Sequence, residues 1–169
     1  MIKKLSLLLP VICLFTTISF AETMPKEAKA PSFDWKSLVG PELIDASGKK
    51  VDASTLNGKV VGFYFSAHWC GPCRLFTPEL VKFAKLNKDR FAVVFISCDR
   101  PDEKAMFDYM KEMKMPWAAL PYQSEAGTKI SQENDVKQIP TLLIYDSSGN
   151  LVTKNGRDLG EVKKILNSK

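Results

Sequence analysis

Three short, nearly uninterrupted apolar runs constrain this chain more than any other feature: Val60–Ser66 (Val-Val-Gly-Phe-Tyr-Phe-Ser), Phe91–Ser97 and Thr141–Tyr145. A strand with one wet face alternates polar and apolar residues. A continuous run of strand length therefore predicts a strand covered on both faces. Amphipathic helical patterns separate the runs. Over residues 73–87, Phe76, Leu80, Phe83 and Ala84 share one side; over 102–113, Met106, Tyr109, Met110 and Met113 recur at helical spacing; the last segment carries Leu159, Val162, Ile165 and Leu166. Each stripe predicts a helix packed by one face. The methionines are read as core rather than as a binding surface, because Met fills irregular gaps. Leu43, Ile44 and Val51 around Ser47-Gly48 predict a small edge hairpin. The Ser147-Ser148-Gly149-Asn150 turn predicts that Thr141–Tyr145 pairs antiparallel with residues 151–154. This order predicts an α/β fold, a central mixed β-sheet flanked by helices.

The N-terminus reads as an address rather than as structure. Lys3 and Lys4 precede an uncharged apolar run over residues 5–20, which ends at Ser19-Phe20-Ala21. That is the three-part pattern of a secretory signal, and the run is short for a membrane span of about 20 apolar residues. A retained anchor is the alternative. Residues 1–21 are expected to be cleaved after Ala21. No lipid is expected on Cys13, since Ile12 is bulky for a lipidation site. Residues 22–31, with Pro25 and Pro31 and little to bury, are read as a flexible leader, and residues 32–169 as one domain. The expected destination is a bacterial periplasm, an oxidising compartment. Loss of Lys3 and Lys4 lowers the net charge from +5 to +3. So modest a balance calls for neither nucleic acid nor anionic lipid as partner.

Three cysteines then remain, Cys70, Cys73 and Cys98. An odd number suits chemistry better than a disulfide scaffold. Cys70-Gly71-Pro72-Cys73 falls just after the strand ending near Ser66 and opens a helix, where free N–H groups and the helix dipole stabilise a thiolate. Cys73, one turn on, is placed to pair with it. The spacing predicts thiol–disulfide exchange: Cys70 attacks a substrate disulfide, and Cys73 resolves the mixed disulfide. Gly71 permits close approach, Pro72 suits a helix start, and Trp69 provides an apolar wall. No metal is expected, because a second cysteine pair is missing and His68 is poorly spaced for a zinc ligand. A purely structural disulfide would close a tiny loop and stabilise little. His68 is read as a solvated loop residue, the alternative being electrostatic tuning of Cys70. Cys98 is read as a small core residue, the alternatives being a third redox thiol or an intermolecular bridge.

Trp69-Cys70-Gly71-Pro72-Cys73 resembles the thioredoxin active-site sequence, Pro78 resembles the kinking proline of that fold, and Ile139-Pro140-Thr141 resembles its cis-proline turn. Tyr64-Phe65-Ser66-Ala67, Arg74, Phe76-Thr77-Pro78, Met115-Pro116-Trp117, Leu120-Pro121 and Asn155-Gly156-Arg157 resemble the tryparedoxin and nucleoredoxin branch. The resemblance runs from about Ser32 to the end. It implies a thioredoxin-like fold, with Cys70 as the exposed nucleophile and Cys73 as the buried resolving thiol. It also implies a cis Pro140 against the cysteine pair and a groove in which the Ile139 backbone and Trp69 meet an extended substrate. No cofactor beyond the redox-active disulfide is implied. Three positions depart from the pattern. Tyr64 stands where thioredoxin carries a buried acid, Gly71 stands where the branch usually has proline, and Asn134-Asp135-Val136 replaces an aromatic before the proline turn.

The Gly71-Pro72 dipeptide resembles that of reducing members, so a reductase of disulfide-containing proteins is expected, fed by a membrane electron-donor protein. A disulfide oxidase or isomerase, and a non-enzymatic binding module that kept the fold, are the alternatives. A peroxidase ranks below them, since no additional peroxide-activating threonine and arginine motif surrounds Cys70.

Overall fold

Trp35, Phe63, Tyr64, Phe65, Phe95 and Tyr109 are all buried, and they lie on two sides of one sheet. The computed structural model describes residues 33–100 and 102–168. The segments expected to be a signal peptide (residues 1–21) and a flexible leader (residues 22–31), and Ser32, lie outside the described residues.

The strands are β1 (Glu42–Ile44), β2 (Lys50–Asp52), β3 (Val60–Ser66), β4 (Phe91–Ser97), β5 (Ala118–Ala119), β6 (Thr141–Tyr145) and β7 (Leu151–Thr153). They form one sheet in the order β2-β1-β5-β4-β3-β6-β7. β3 pairs parallel with β4, and β4 with β5, while β6 and the edge hairpins run antiparallel. The helices are α1 (Trp35–Val39), α2 (Gly71–Leu86), α3 (Glu103–Glu112), α4 (Glu125–Glu133) and α5 (Leu159–Asn167).

Every residue of β3 is buried. Its alternate side chains enter different cores, which is why the run carries no polar alternation. Val60 and Tyr64 pack with Phe95, Leu142 and Ile144 among the side chains of α2, α3 and α5. Val61, Phe63 and Phe65 pack with Val94, Ile96, Leu143 and Tyr145 beside Trp35 of α1 and Ile130 of α4. Met106 and Met110 are fully buried, so the methionine stripe is core.

Side-chain caps set the helix starts. Asp102 accepts from Ala105 N at α3, Ser124 from Gly127 N at α4, and Asp158 from Gly160 N and Glu161 N at α5. Each satisfies donors that a helix leaves orphaned. The edge hairpin forms with Leu43 opposite Val51. Gly156 is required by a close approach: a Cβ there would lie 2.5 Å from the Leu142 carbonyl oxygen.

Candidate active site

β3 ends at Ser66, and after four intervening residues the chain enters α2 at Gly71. Between them Cys70 N donates to Ala67 O at 3.2 Å, closing a turn whose central residues are His68 and Trp69. Cys70 is the N-cap of α2, and Cys73 N–H points at its Sγ from 3.2 Å. When Cys70 is a thiolate, that amide becomes a charge-assisted donor at the positive end of the helix. Cys70 and Cys73 are joined in a disulfide. Both cysteines are buried, Cys73 wholly and Cys70 at 5% exposure, so Cys70, expected to be exposed, keeps only a sliver of surface under the packing of Ala67 and Ile139.

The second strand to reach the site is β6. Phe65 of β3 pairs with Thr141 of β6, which brings the residues just before Thr141 beside the end of β3. The Ile139–Pro140 bond there is cis. Cys70 Sγ lies 3.9 Å from Ile139 O, and Ile139 packs against the cluster of Ala67, Cys70 and Cys73. Trp69 stands 59% exposed beside this cluster. Cys70, Cys73, Trp69, Gly71, Pro72, Ile139 and Pro140 thus lie on two segments that the sheet register brings together. Gly71 is not demanded by the fold: a Cβ there meets nothing within 4 Å.

Beneath Cys73 the position of Tyr64 is filled by a buried hydroxyl network. Thr77 Oγ1 donates to Cys73 O at 2.8 Å and lies 2.8 Å from Tyr64 OH and 2.9 Å from Tyr109 OH; Ser66 Oγ lies 3.1 Å from Tyr109 OH. Burial pushes the Tyr64 phenol up to about 12. At neutral pH the floor of the site is therefore uncharged, whereas a carboxyl there could take and give protons.

One further position differs from the sequence reading. His68 is not merely solvated. Its backbone N–H and its Nδ1 both reach Asp99 Oδ1, at 2.7 and 2.6 Å, and the Asp99 side chain is completely buried. Ser97 Oγ donates to Asp99 Oδ2 at 2.8 Å. Asp99 carried no signal in the sequence, where it looks like one more polar residue after a strand. Cys98 packs against the Cys70–Cys73 cluster from the end of β4. Its thiol is pushed up to about 11, first by burial and then by the charge of Asp99, which makes it a poor nucleophile. Among the described residues no group of three or more His, Cys, Asp or Glu side chains gathers as metal ligands would.

Residues 57–151 match the family model described as Thioredoxin-like. The chain is 36% identical over 127 residues to nucleoredoxin from Bos taurus, covering 73% of this chain and 28% of that one. It is 43% identical over 117 residues to probable nucleoredoxin 1 from Arabidopsis thaliana, covering 68% of this chain and 20% of that one. The chain thus spans less than a third of the length of these two curated relatives. Among solved structures, native tryparedoxin I from Crithidia fasciculata superposes with a TM-score of 0.65 at 40% identity, over 78% of this chain and 92% of that one. Thioredoxin from Wuchereria bancrofti gives 0.65 at 36% identity, over 78% and 98%.

Proposed function

Because this chain belongs to the thioredoxin-like family, we propose that it is a thiol–disulfide oxidoreductase acting as a reductase of protein disulfides through Cys70 and Cys73. The observation that carries this reading is the asymmetry of the pair. One cysteine caps a helix N-terminus beside Ile139 O and keeps a sliver of exposure, and its partner, one turn on, has none.

In the dithiol form Cys70 loses its proton and attacks one sulfur of a substrate disulfide. The substrate S–S bond breaks, its electron pair stays on the leaving sulfur, and that sulfur takes up a proton. Cys73 then gives up its proton and attacks Cys70 Sγ. The intramolecular S–S bond forms, and the second substrate sulfur leaves and is protonated. Two electrons and two protons pass to the substrate. A dithiol donor, read here as a membrane protein, returns them. Trp69, Gly71, Pro72 and the Ile139–Pro140 segment are the surface on which an extended substrate lies.

Export to the periplasm is part of the proposal, and it rests on Lys3, Lys4, the apolar run over residues 5–20 and Ala21. N-terminal sequencing of the protein recovered from a cell envelope fraction tests it, with Glu22 expected first. The direction of electron flow is tested by equilibrating the Cys70–Cys73 couple with glutathione or dithiothreitol buffers. A potential near −270 mV, on the order of that of thioredoxin, supports the reductase reading; one near −180 mV or above makes the protein an oxidant or isomerase.

A further inference from the structure

A completely buried carboxylate beside a thiol that must ionise is an obstacle. Its field opposes a second negative charge, and the low dielectric around it lengthens its reach. The Asp99 side chain is completely buried, next in the chain to Cys98. Its charge contributes to raising the Cys98 thiol, and Cys98 packs against Cys70 and Cys73. The same carboxylate holds the turn that carries Cys70, through His68 N–H, and holds the His68 ring through Nδ1. An ionised carboxylate only accepts, so toward ionised Asp99 the Nδ1–H is the donor. The remaining charged groups nearby are matched in pairs or flank Asp99. Arg74 of α2 donates to His68 O and pairs with Glu112 of α3, Arg100 follows Asp99 in the chain, and Tyr122 OH donates to Asp99 O.

We propose that His68 is the counter-ion of Asp99 and that the pair positions and tunes Cys70. With the ring protonated the pair is neutral, and Cys70 ionises unopposed. With the ring absent, the bare Asp99 charge faces the site. This inference rests on the redox role of Cys70, and it predicts opposite signs for the two partners. A purely structural role would move both variants the same way.

The test uses the full mature chain in its dithiol form. The rate of Cys70 alkylation by iodoacetamide at neutral pH is followed by peptide mapping, alongside the potential of the couple and the urea midpoint. His68→Asn keeps a side-chain donor toward Asp99 but removes the ring, and it should slow alkylation about three- to tenfold and make the potential more negative. Asp99→Asn should speed alkylation and make the potential less negative, because it leaves the positive charge of the His68 ring without its counter-charge, and that charge then favours the thiolate. Changes of one sign in both variants, or no change in either, overturn the proposal. If Asp99→Asn does not fold, an unchanged alkylation rate in His68→Asn overturns it alone. Failure of the unaltered protein to reduce a protein disulfide would sink the proposed function, yet the alkylation comparison would still be readable.

Discussion

Cys70 and Cys73 differ in burial, and that difference assigns them separate fates when either is removed. Cys73→Ser is expected to leave Cys70 able to attack but unable to be released. A covalent complex with substrate should then accumulate, visible as a reducible band on non-reducing gels. Cys70→Ser should form no such complex and lose turnover entirely, since Cys73 is wholly enclosed. Tyr64 gives a second prediction at this scale. Its phenol is ordinary in the unfolded chain, at about 10, and is pushed up to about 12 by burial in the folded one. Below pH 10 both states hold the proton, so nothing is lost. Above it the unfolded state releases the proton first, so stability falls as pH rises from 10 toward 12. Urea midpoints across that range should drop, and Tyr64→Phe should drop less steeply. Some slope should remain, because burial also raises Tyr145. A profile identical in Tyr64→Phe would show that the phenol plays no part.

At the scale of elements, β3, β4 and β6 were legible because burial on both faces writes itself as an unbroken apolar run. The helices α2, α3 and α5 were legible because each buries several large side chains at helical spacing. The helix α4 was not, since it buries only Gly127 and Ile130 and leaves a polar remainder. Nor was β5, a strand of two alanines held between β1 and β4. The site divides the same way. The cysteine pair and the Ile139–Pro140 segment stood out as local patterns, whereas His68 and Asp99 are 31 residues apart and meet only through the packing of β3 beside β4. Gly156, noticed only as part of a motif, turns out to be a contact between a loop and β6. Gly156→Ala would drive a methyl group into the Leu142 carbonyl oxygen. A loss of about 1–3 kcal/mol in urea unfolding is expected. Gly71→Ala, with open space around its Cβ, should leave the midpoint unchanged.

For the whole molecule, the sheet order determines what the site requires in order to exist. The disulfide spans a sequence separation of 3. The Ile139–Pro140 segment that meets it requires β6 to cross back antiparallel against β3, so that Ile139 arrives 69 residues after Cys70. Local contacts survive partial opening better than long-range ones. In urea just below the unfolding midpoint, reduction of a protein disulfide should fall relative to reduction of oxidised glutathione. A constant ratio of the two rates would mean that the groove contributes nothing to choice. Under the proposed function, the pairing of β3 with β6 acts as a safeguard on the chemistry: a chain that has lost its shape keeps a reactive sulfur and forgets which disulfides it was meant to open.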